Sequence, residues 1–553
     1  MRHPVIVLKC GGSVVQSESG LRVAVHEVYR WRRAGYRVVC VVSALAGETD
    51  RLLAEVRGIS PEHAPEAAAA VVATGELRSA ALLGLFLDRA GIPASVLAPS
   101  ALRLVATGPP ASATPVAVDR ARLEAALASH GVVVVPGFVG EDGSGRAVLF
   151  GRGGSDLTAL FLASVLAARC RLVKDVDGLY ERDPSRPGPR PRRYAAANFE
   201  DLLATDGTIV QHEAARFARA HDVRFELGSW NAEHPTEIGR GRTRFEAGDP
   251  RRPLSVVVLG AGTVGGGLLE LLRDLPGTLE VVGVCARRLD ADPVRMAGSG
   301  ADVVVELLGG CEPARGAVLA ALAAGSDVVT ANKRLLAVHG QELRALAGGR
   351  RLLASAAVGG AAPVLERIAA APRGSIADVR GVLNGTMNFV LDRLARGSEL
   401  DAAVAEARRR GYAERDAARD LAGHDAADKL AVIGQALGLG TLAVEIEAFG
   451  PDHVARCRDA VARGAVLRQV ARIACDRGRT RACVGFEEIE AADPLHGIGD
   501  VRNAVVLRSF DGSEELVAGT GAGRWPTAEA VLADLLDLCR AQAEILEPSA
   551  RQG

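Results

Sequence analysis

Short β-branched runs alternate with long Ala- and Leu-rich stretches along the chain, the pattern of an α/β protein. In the first half, the runs at 4–8, 37–42, 94–97, 131–135, 171–173 and 223–227 predict strands, and 21–34, 75–90, 119–129 and 156–168 predict helices. Residues 239–253 are polar, punctuated by Gly and Pro, and without periodicity, so they read as a linker. A second α/β run starts at Leu254, with strands near 255–259, 279–284, 302–306 and 327–330. From 376 the pattern is mixed, with strands near 376–383 and 503–509 and helices near 400–410, 424–437 and 527–542. The Pro- and Arg-rich stretch 184–193 reads as a stiff surface loop, because a helix at 199–204 follows at once.

At ~150 residues per domain, 553 residues make three or four compact units. The 67 acidic and 66 basic residues nearly cancel, which argues against a nucleic-acid binder or a polybasic membrane protein. Nine cysteines show no CxxC pair; Cys40, Cys170, Cys285 and Cys475 sit in apolar runs and read as buried thiols, and the set suggests no zinc site and a reducing compartment. No unbroken apolar run approaches the ~20 residues of a membrane helix. The opening strand follows no charged-then-apolar leader, so the expectation is a soluble cytoplasmic protein. The basic residues hold a sharper signal. Only Lys9, Lys174, Lys333 and Lys429 are lysines, against 62 arginines. Four lysines left among so many arginines mark places that need a compact ammonium able to give up its proton.

In the second half, strand 255–259 runs into Gly260-Ala261-Gly262-Thr263-Val264-Gly265 and a Leu-rich helix. Gly260 allows the tight turn, Gly262 lets the backbone approach a pyrophosphate, and Gly265 permits close helix–strand packing; Thr263 and Val264 open the helix whose amides receive phosphates. Where an NAD site would place an acid, the second strand ends in Arg287-Arg288, which favours a 2′-phosphate and hence NADP, with NAD as the alternative. Downstream stand Lys333, then Glu414, Asp420, Asp425 and Lys429. Asp425 and Lys429 are i and i+4 on one helix face, an ordinary solvated pair in isolation. Beside a nicotinamide site the cluster suits a carbonyl reduction, which needs a proton donor.

In the first half, strand 5–8 ends in Lys9-Cys10-Gly11-Gly12-Ser13. A second glycine loop, Gly151-Arg152-Gly153-Gly154-Ser155-Asp156, opens a helix, and Lys174-Asp175-Val176-Asp177-Gly178-Leu179-Tyr180 follows a strand. Glycines free backbone amides to wrap phosphate oxygens, and lysine neutralises a transferring phosphoryl group. The spacing is not that of a P-loop.

The ordered set over about 254–541 resembles homoserine dehydrogenase. It includes Glu306-Leu307-Leu308-Gly309-Gly310, Thr330 to Lys333, Val358-Gly359-Gly360, Asn384-Gly385-Thr386, the Glu414 to Lys429 block and Gly519-Thr520-Gly521-Ala522-Gly523. The resemblance implies Lys429 as acid/base with Asp420 beside it and Lys333 near nicotinamide and substrate. It also implies Glu414 and Asp425 on the homoserine, and Gly385 and Gly523 on the cofactor. It further implies sodium at a turn of Ser355, Val358, Gly360 and Ala362, where Ser355 replaces the family's usual Glu. The three loops of the first half resemble the amino-acid kinase family, and Ser43 to Thr49 with Thr74-Gly75-Glu76 narrow this to aspartokinase over 3–238. That resemblance implies Lys9, Gly11, Gly12 and Asp156 around the phosphoryl group, and Ser43, Thr49, Glu76, Arg152 and Ser155 on aspartate. It assigns Lys174, Asp175, Tyr180 and Arg182 to ATP, which comes with magnesium. The family's His-Pro-Arg stands here as Gln211-His212-Glu213, and Lys174 replaces a Thr common in aspartokinases.

The expected organisation is an α/β kinase sandwich (1–238), a linker (239–253), and a Rossmann NAD(P) domain (254–375) completed by 515–541. An α+β catalytic and dimerisation domain (376–514) and a tail (542–553) follow. The ~15 linker residues cannot hold the ACT-type regulatory domains usual between such halves. The expectation is a bifunctional enzyme of small-molecule substrates, a homodimer or higher homo-oligomer, without nucleic-acid or membrane partners. The competing expectation keeps the dehydrogenase and makes the first half a binding module or a kinase of other specificity.

Overall fold

Strand Val5–Cys10 is an unbroken apolar run up to Lys9, and it is buried between two parallel neighbours, Arg37–Val42 and Arg169–Lys174. In the computed structural model it lies within a nine-stranded, largely parallel sheet. The structure describes residues 3–184, 191–230, 232, 234–246, 253–273, 275, 278–286, 291–410, 412, 421–476, 479–521 and 523–546. The chain forms two compact units, the first of Arg2–Asp88 with Pro93–Arg251, and the second of Arg252–Gly553 with Met1 and Arg89–Ile92.

In the first unit the sheet runs Arg244–Phe245, Tyr194–Asn198, Thr236–Gly239, Phe225–Ser229, Arg169–Lys174, Val5–Cys10, Arg37–Val42, Val132–Pro136, Ser95–Val96. Its core takes Val7, Val39, Val133 and Leu172 from the strands and Leu157, Leu160 and Ala214 from helices Gly154–Leu166 and His212–Ala220. A second sheet of Thr114–Ala117, Val105–Thr107, Val139–Glu141 and Ala147–Leu149 escaped the sequence analysis, because strands of three or four residues show no period. Residues 239–253 are not wholly irregular. Gly239 ends one strand, and Arg244–Phe245 pairs antiparallel with Tyr194–Asn198, where Phe245 stacks on Tyr194. Residues 185–190, most of the expected stiff loop, lie outside the described residues.

Helix Pro65–Arg89 is the one helix among the described residues long and apolar enough to cross a membrane. It was not anticipated as such because Glu66, Thr74, Glu76 and Arg78 interrupt its apolar run. Its Ala69, Val72 and Ala73 pack in a core with Leu52, Val139 and Leu149.

The second unit has a five-stranded parallel sheet in the order Leu279–Cys285, Leu254–Leu259, Val303–Glu306, Asp327–Thr330, Leu352–Leu353. A six-stranded sheet follows: Val444–Ile446, Arg479–Ile489, Val466–Asp476, Ile376–Val382, Arg502–Ser509, Glu514–Thr520. Its longest hairpin, Val466–Asp476 with Arg479–Ile489, was missed because Arg468 and Gln469 interrupt the apolar alternation, although both are buried. The segment 515–541 divides. Strand Glu514–Thr520 joins the six-stranded sheet, whereas helix Arg524–Leu546 lies on the dinucleotide helix Thr263–Arg273, where Gly267 admits Ala528 and Arg524 reaches Glu270. That helix also carries the chain through 542–546, which the sequence assigned to a tail.

Candidate active sites

The first site gathers at the carboxyl ends of neighbouring parallel strands. Lys9 is the penultimate residue of strand Val5–Cys10, Lys174 ends strand Arg169–Lys174, and Asp156 lies in the first turn of helix Gly154–Leu166. Lys9 Nζ is 2.7 Å from Asp156 Oδ1, and Lys174 Nζ donates to Oδ2 at 2.8 Å. All three side chains are buried. Burial opposes ionisation of Asp156, but the charges of Lys174 and Lys9 overcome it and hold the carboxyl at about 2. Burial pulls Lys174 down to about 8, against the attraction of Asp156. Gly11 leaves room for the ammonium of Lys9, which would lie 2.7 Å from a Cβ there. Gly12 follows on the same loop, beside the Ala44 carbonyl.

The remaining expected residues are distributed around this core. Ser43 follows strand Arg37–Val42 and donates its N–H to the Cys10 carbonyl at 3.1 Å. Thr49 lies in the first turn of helix Glu48–Ile59 and is half-buried; Ser155 is buried beside Asp156 and packs on Gly137; Arg152 is exposed on its loop. Glu76 is 3% exposed. Burial raises its pKa to about 8 against a hydrogen bond from the Ala44 backbone and the charge of Lys9. Asp175 and Arg182 are exposed, and the Tyr180 hydroxyl donates to Asp177 at 2.9 Å. Gln211 seats against Gly153 of the second glycine loop, where a Cβ would be 2.5 Å from its own Cβ, and His212 contacts the Thr205 carbonyl at 3.0 Å.

In the second unit the Gly260–Gly265 turn follows the strand where the five-stranded order reverses, the crevice position for a dinucleotide. Gly260 has φ of 104°, and a Cβ there would be 2.5 Å from the Leu307 carbonyl oxygen. A Cβ on Gly265 would collide with the Gly260 carbonyl, whereas Gly262 has nothing within 4 Å of that position and so is open to a ligand. Thr263 and Val264 open the helix. These features fit a dinucleotide pyrophosphate. Arg287, Arg288, Glu414 and Asp420 lie outside the described residues.

Asp425 joins two lysines here as well. Its Oδ1 is 2.6 Å from Lys333 Nζ, and its Oδ2 is 2.9 Å from Lys429 Nζ. Lys429 also donates to the Leu383 carbonyl at 2.6 Å. Burial opposes the charge on Asp425, but Lys429 and Lys333 hold its carboxyl well below the usual range. Thus all four lysines of the chain meet a buried or nearly buried aspartate, two at a time. Gly385 opens helix Gly385–Ala395, where a Cβ would press on the Val501 carbonyl at 2.9 Å; Gly523, at φ 121°, precedes helix Arg524–Leu546.

The turn of Ser355, Val358, Gly360 and Ala362 lies against strand Glu514–Thr520, with the Ala361 N–H donating to the Thr520 carbonyl at 3.1 Å. Ser355 donates its N–H and hydroxyl to Asp534, at 3.0 and 2.6 Å. Asp534 is fully buried, so a carboxylate stands at this turn although the chain lacks the usual Glu. No group of three or more His, Cys, Asp or Glu among the described residues could hold a metal ion.

Sequence reasoning gave no role to Glu306, although it is fully buried between Thr330 Oγ1 at 2.6 Å and the Leu308 N–H at 2.8 Å. Asn332 ties this carboxyl to the Gly310 carbonyl and caps helix Lys333–Leu346. The network therefore fixes the loop that presents Lys333. Its signal was the register pair Glu306–Thr330 at the ends of adjacent strands. The Leu383 carbonyl, which also accepts from Asn503 at 3.1 Å, is backbone and had no sequence signal.

Residues 4–224 match the amino acid kinase family, 260–352 the homoserine dehydrogenase NAD-binding domain, and 363–536 homoserine dehydrogenase. The chain is 36% identical to the aspartokinase of Pseudomonas aeruginosa over 223 residues, 40% of this chain and 54% of that protein. It therefore spans about half the length of that relative. It is 32% identical to the homoserine dehydrogenase of Lactococcus lactis over 322 residues, 53% of this chain and 75% of that protein. A homoserine dehydrogenase structure from Thiobacillus denitrificans matches with a TM-score of 0.50 at 32% identity, covering 55% of this chain and 76% of that one. With its dinucleotide turn, its paired sheets and three quarters of a curated relative accounted for, the second unit settles the kinship: the chain belongs to the homoserine dehydrogenase family and carries an amino acid kinase domain ahead of it.

Proposed function

We propose that the chain is a two-headed enzyme. Its first unit transfers the γ-phosphoryl of ATP to the β-carboxylate of L-aspartate, and its second reduces aspartate 4-semialdehyde to homoserine. The observation that carries this reading is the pair of Lys–Asp–Lys constellations, one beside glycine loops suited to phosphates and one beside a dinucleotide turn.

In the kinase, Asp156 holds Lys9 and Lys174 in place, so two fixed ammonium groups meet one carboxylate and leave net positive charge for the phosphoryl group. Preorganised in a buried cleft, they need little rearrangement as charge shifts toward the leaving oxygen. Gly11 and Gly12 admit the phosphates, and Asp175, Tyr180 and Arg182 border the nucleotide. Ser43, Thr49, Glu76, Arg152 and Ser155 hold aspartate, with Arg152 suited to a bidentate grip on a carboxylate. Magnesium accompanies the nucleotide.

In the dehydrogenase, NADPH supplies the hydride when bound, held by the Gly260–Gly265 turn, Arg287, Arg288, Gly385 and Gly523; NADH is the weaker alternative. Lys429 donates the proton to the carbonyl oxygen, from an ammonium oriented by Asp425 and the Leu383 carbonyl. Lys333 adds a second positive charge where the alkoxide develops. Asp420 supports the proton transfer, and Glu414 with Asp425 orients the substrate. Sodium would be held by backbone carbonyls of the turn of Ser355, Val358, Gly360 and Ala362, with the Asp534 carboxylate on Ser355 adding negative charge nearby. The enzyme acts as a cytoplasmic homodimer or higher homo-oligomer, and the short segment between its two halves leaves no room there for an ACT-type domain.

Purified protein given ATP, magnesium, aspartate and hydroxylamine should yield aspartyl hydroxamate at a rate indifferent to threonine. The same protein should oxidise NADPH when given aspartate semialdehyde. Hydroxamate absent from a preparation that still reduces the semialdehyde would reject the kinase assignment.

A further inference from the structure

Glu76 carries a consequence beyond its place among the substrate-binding residues. It lies in helix Pro65–Arg89 with 3% of its surface exposed, and its Oε2 is buried with no hydrogen-bond partner. A buried carboxyl oxygen left unsatisfied is costly unless the group is neutral or something binds there. Few charges oppose it. Lys9, from strand Val5–Cys10, is held by Asp156, and Lys174 sits on the far oxygen of the same aspartate. On helix Glu48–Ile59, Glu48 is already paired with Arg51 at 2.9 Å. Arg78, on the same helix as Glu76, is exposed and acts on Glu48. Strands Val139–Glu141 and Ala147–Leu149 meet the helix through apolar Val139 and Leu149. The Ala44 backbone, next to Ser43, donates a hydrogen bond to Glu76.

We propose that Glu76 stands protonated in the ligand-free protein and receives the α-ammonium of the amino-acid substrate on its unpartnered oxygen, so that binding expels one proton. This inference rests on the aspartokinase reading of the first unit. The proton balance is simple: neutral Glu76 and a substrate ammonium become a carboxylate–ammonium pair, and one proton leaves to solvent. The elevated pKa of about 8 in the ligand-free protein supports it. Because the ligand selects the ionised form, affinity should rise with pH until the free group titrates. Between pH 6 and pH 8 that is roughly a fiftyfold gain. Lys174, already mostly protonated at pH 7, can take up little and so cannot mask the release.

The test is titration calorimetry of the full chain with L-aspartate, without ATP, at pH 7 in two buffers of different ionisation enthalpy. The expected result is close to one proton released per aspartate bound, and none with succinate, which has the carboxylates but no amine. Glu76→Gln should bind aspartate more weakly and release no proton. Aspartate binding without proton release, or succinate releasing as much, overturns the proposal and leaves the substrate assignment standing. No binding of aspartate at millimolar concentration overturns both, and the wild-type comparison needs no variant to fold.

Discussion

In the first unit Asp156 reaches Lys9 and Lys174 from a helix N-terminus, and the two lysines lie at the carboxyl ends of neighbouring strands of one sheet. In the second unit Asp425 reaches Lys429 one turn along its own helix, and Lys333 from the helix that follows a strand of the parallel sheet. The first constellation is buried throughout, whereas Lys333 in the second is 39% exposed. One arrangement makes a rigid, fixed-charge cradle, which suits a reaction whose barrier is electrostatic. The other puts a buried proton donor beside a half-exposed ammonium, which suits a reaction that must move a proton and admit a substrate. The difference teaches that the same two residue types, lysine and aspartate, acquire distinct chemistry from burial and from which elements carry them.

The largest effect should come from Asp156→Ala, which leaves two buried ammonium groups without their shared partner. Kinase turnover should fall on the order of a thousandfold, and denaturant unfolding should show about 3–5 kcal/mol lost. Semialdehyde reduction per folded molecule should persist; its loss in parallel would break the independence of the two constellations. Next, Lys429→Met should lower reduction by roughly 10²–10⁴-fold with hydroxamate formation unchanged. Lys333→Ala should cost less, about 10- to 100-fold, because water already screens its ammonium. Equal losses for the two lysines, measured by steady-state NADPH oxidation, would erase the distinction between buried donor and exposed charge.

The smallest effect is on acid stability. The folded pKa of Asp156, about 2, lies below its unfolded value of ~3.9, so its contribution is present above pH ~4 and lost as pH falls toward 2. Asp425, also depressed, acts in the same sense. The melting temperature should fall between pH 5 and pH 2.5 accordingly, and Asp156→Asn should flatten part of that slope.

Sites were legible where chemistry rests on residue type at fixed spacing. The Gly260–Gly265 turn, the i,i+4 pair Asp425–Lys429 and the sparse lysines could all be read along the chain. The buried strands 37–42 and 327–330 were legible too, because apolar runs of that length have few other places to go. Short strands such as Val105–Thr107 and the polar-interrupted hairpin Val466–Ile489 were not, since their pairing partners rather than their own periodicity hold them in place. The same limit hid the Glu306 network and the Leu383 carbonyl.

By itself, the sequence determined the α/β order, the glycine turns and which four positions kept an ammonium, because those depend on local periodicity, backbone freedom and side-chain chemistry. Only the tertiary structure decided that Lys9 and Lys174, 165 residues apart, share Asp156, and that Asp534 supplies the carboxylate missing at Ser355. Nor does the chain's linear order reveal that Glu76 keeps an oxygen unsatisfied. Those facts depend on which strand ends and helix turns become neighbours, and on how far burial then changes the cost of each charge.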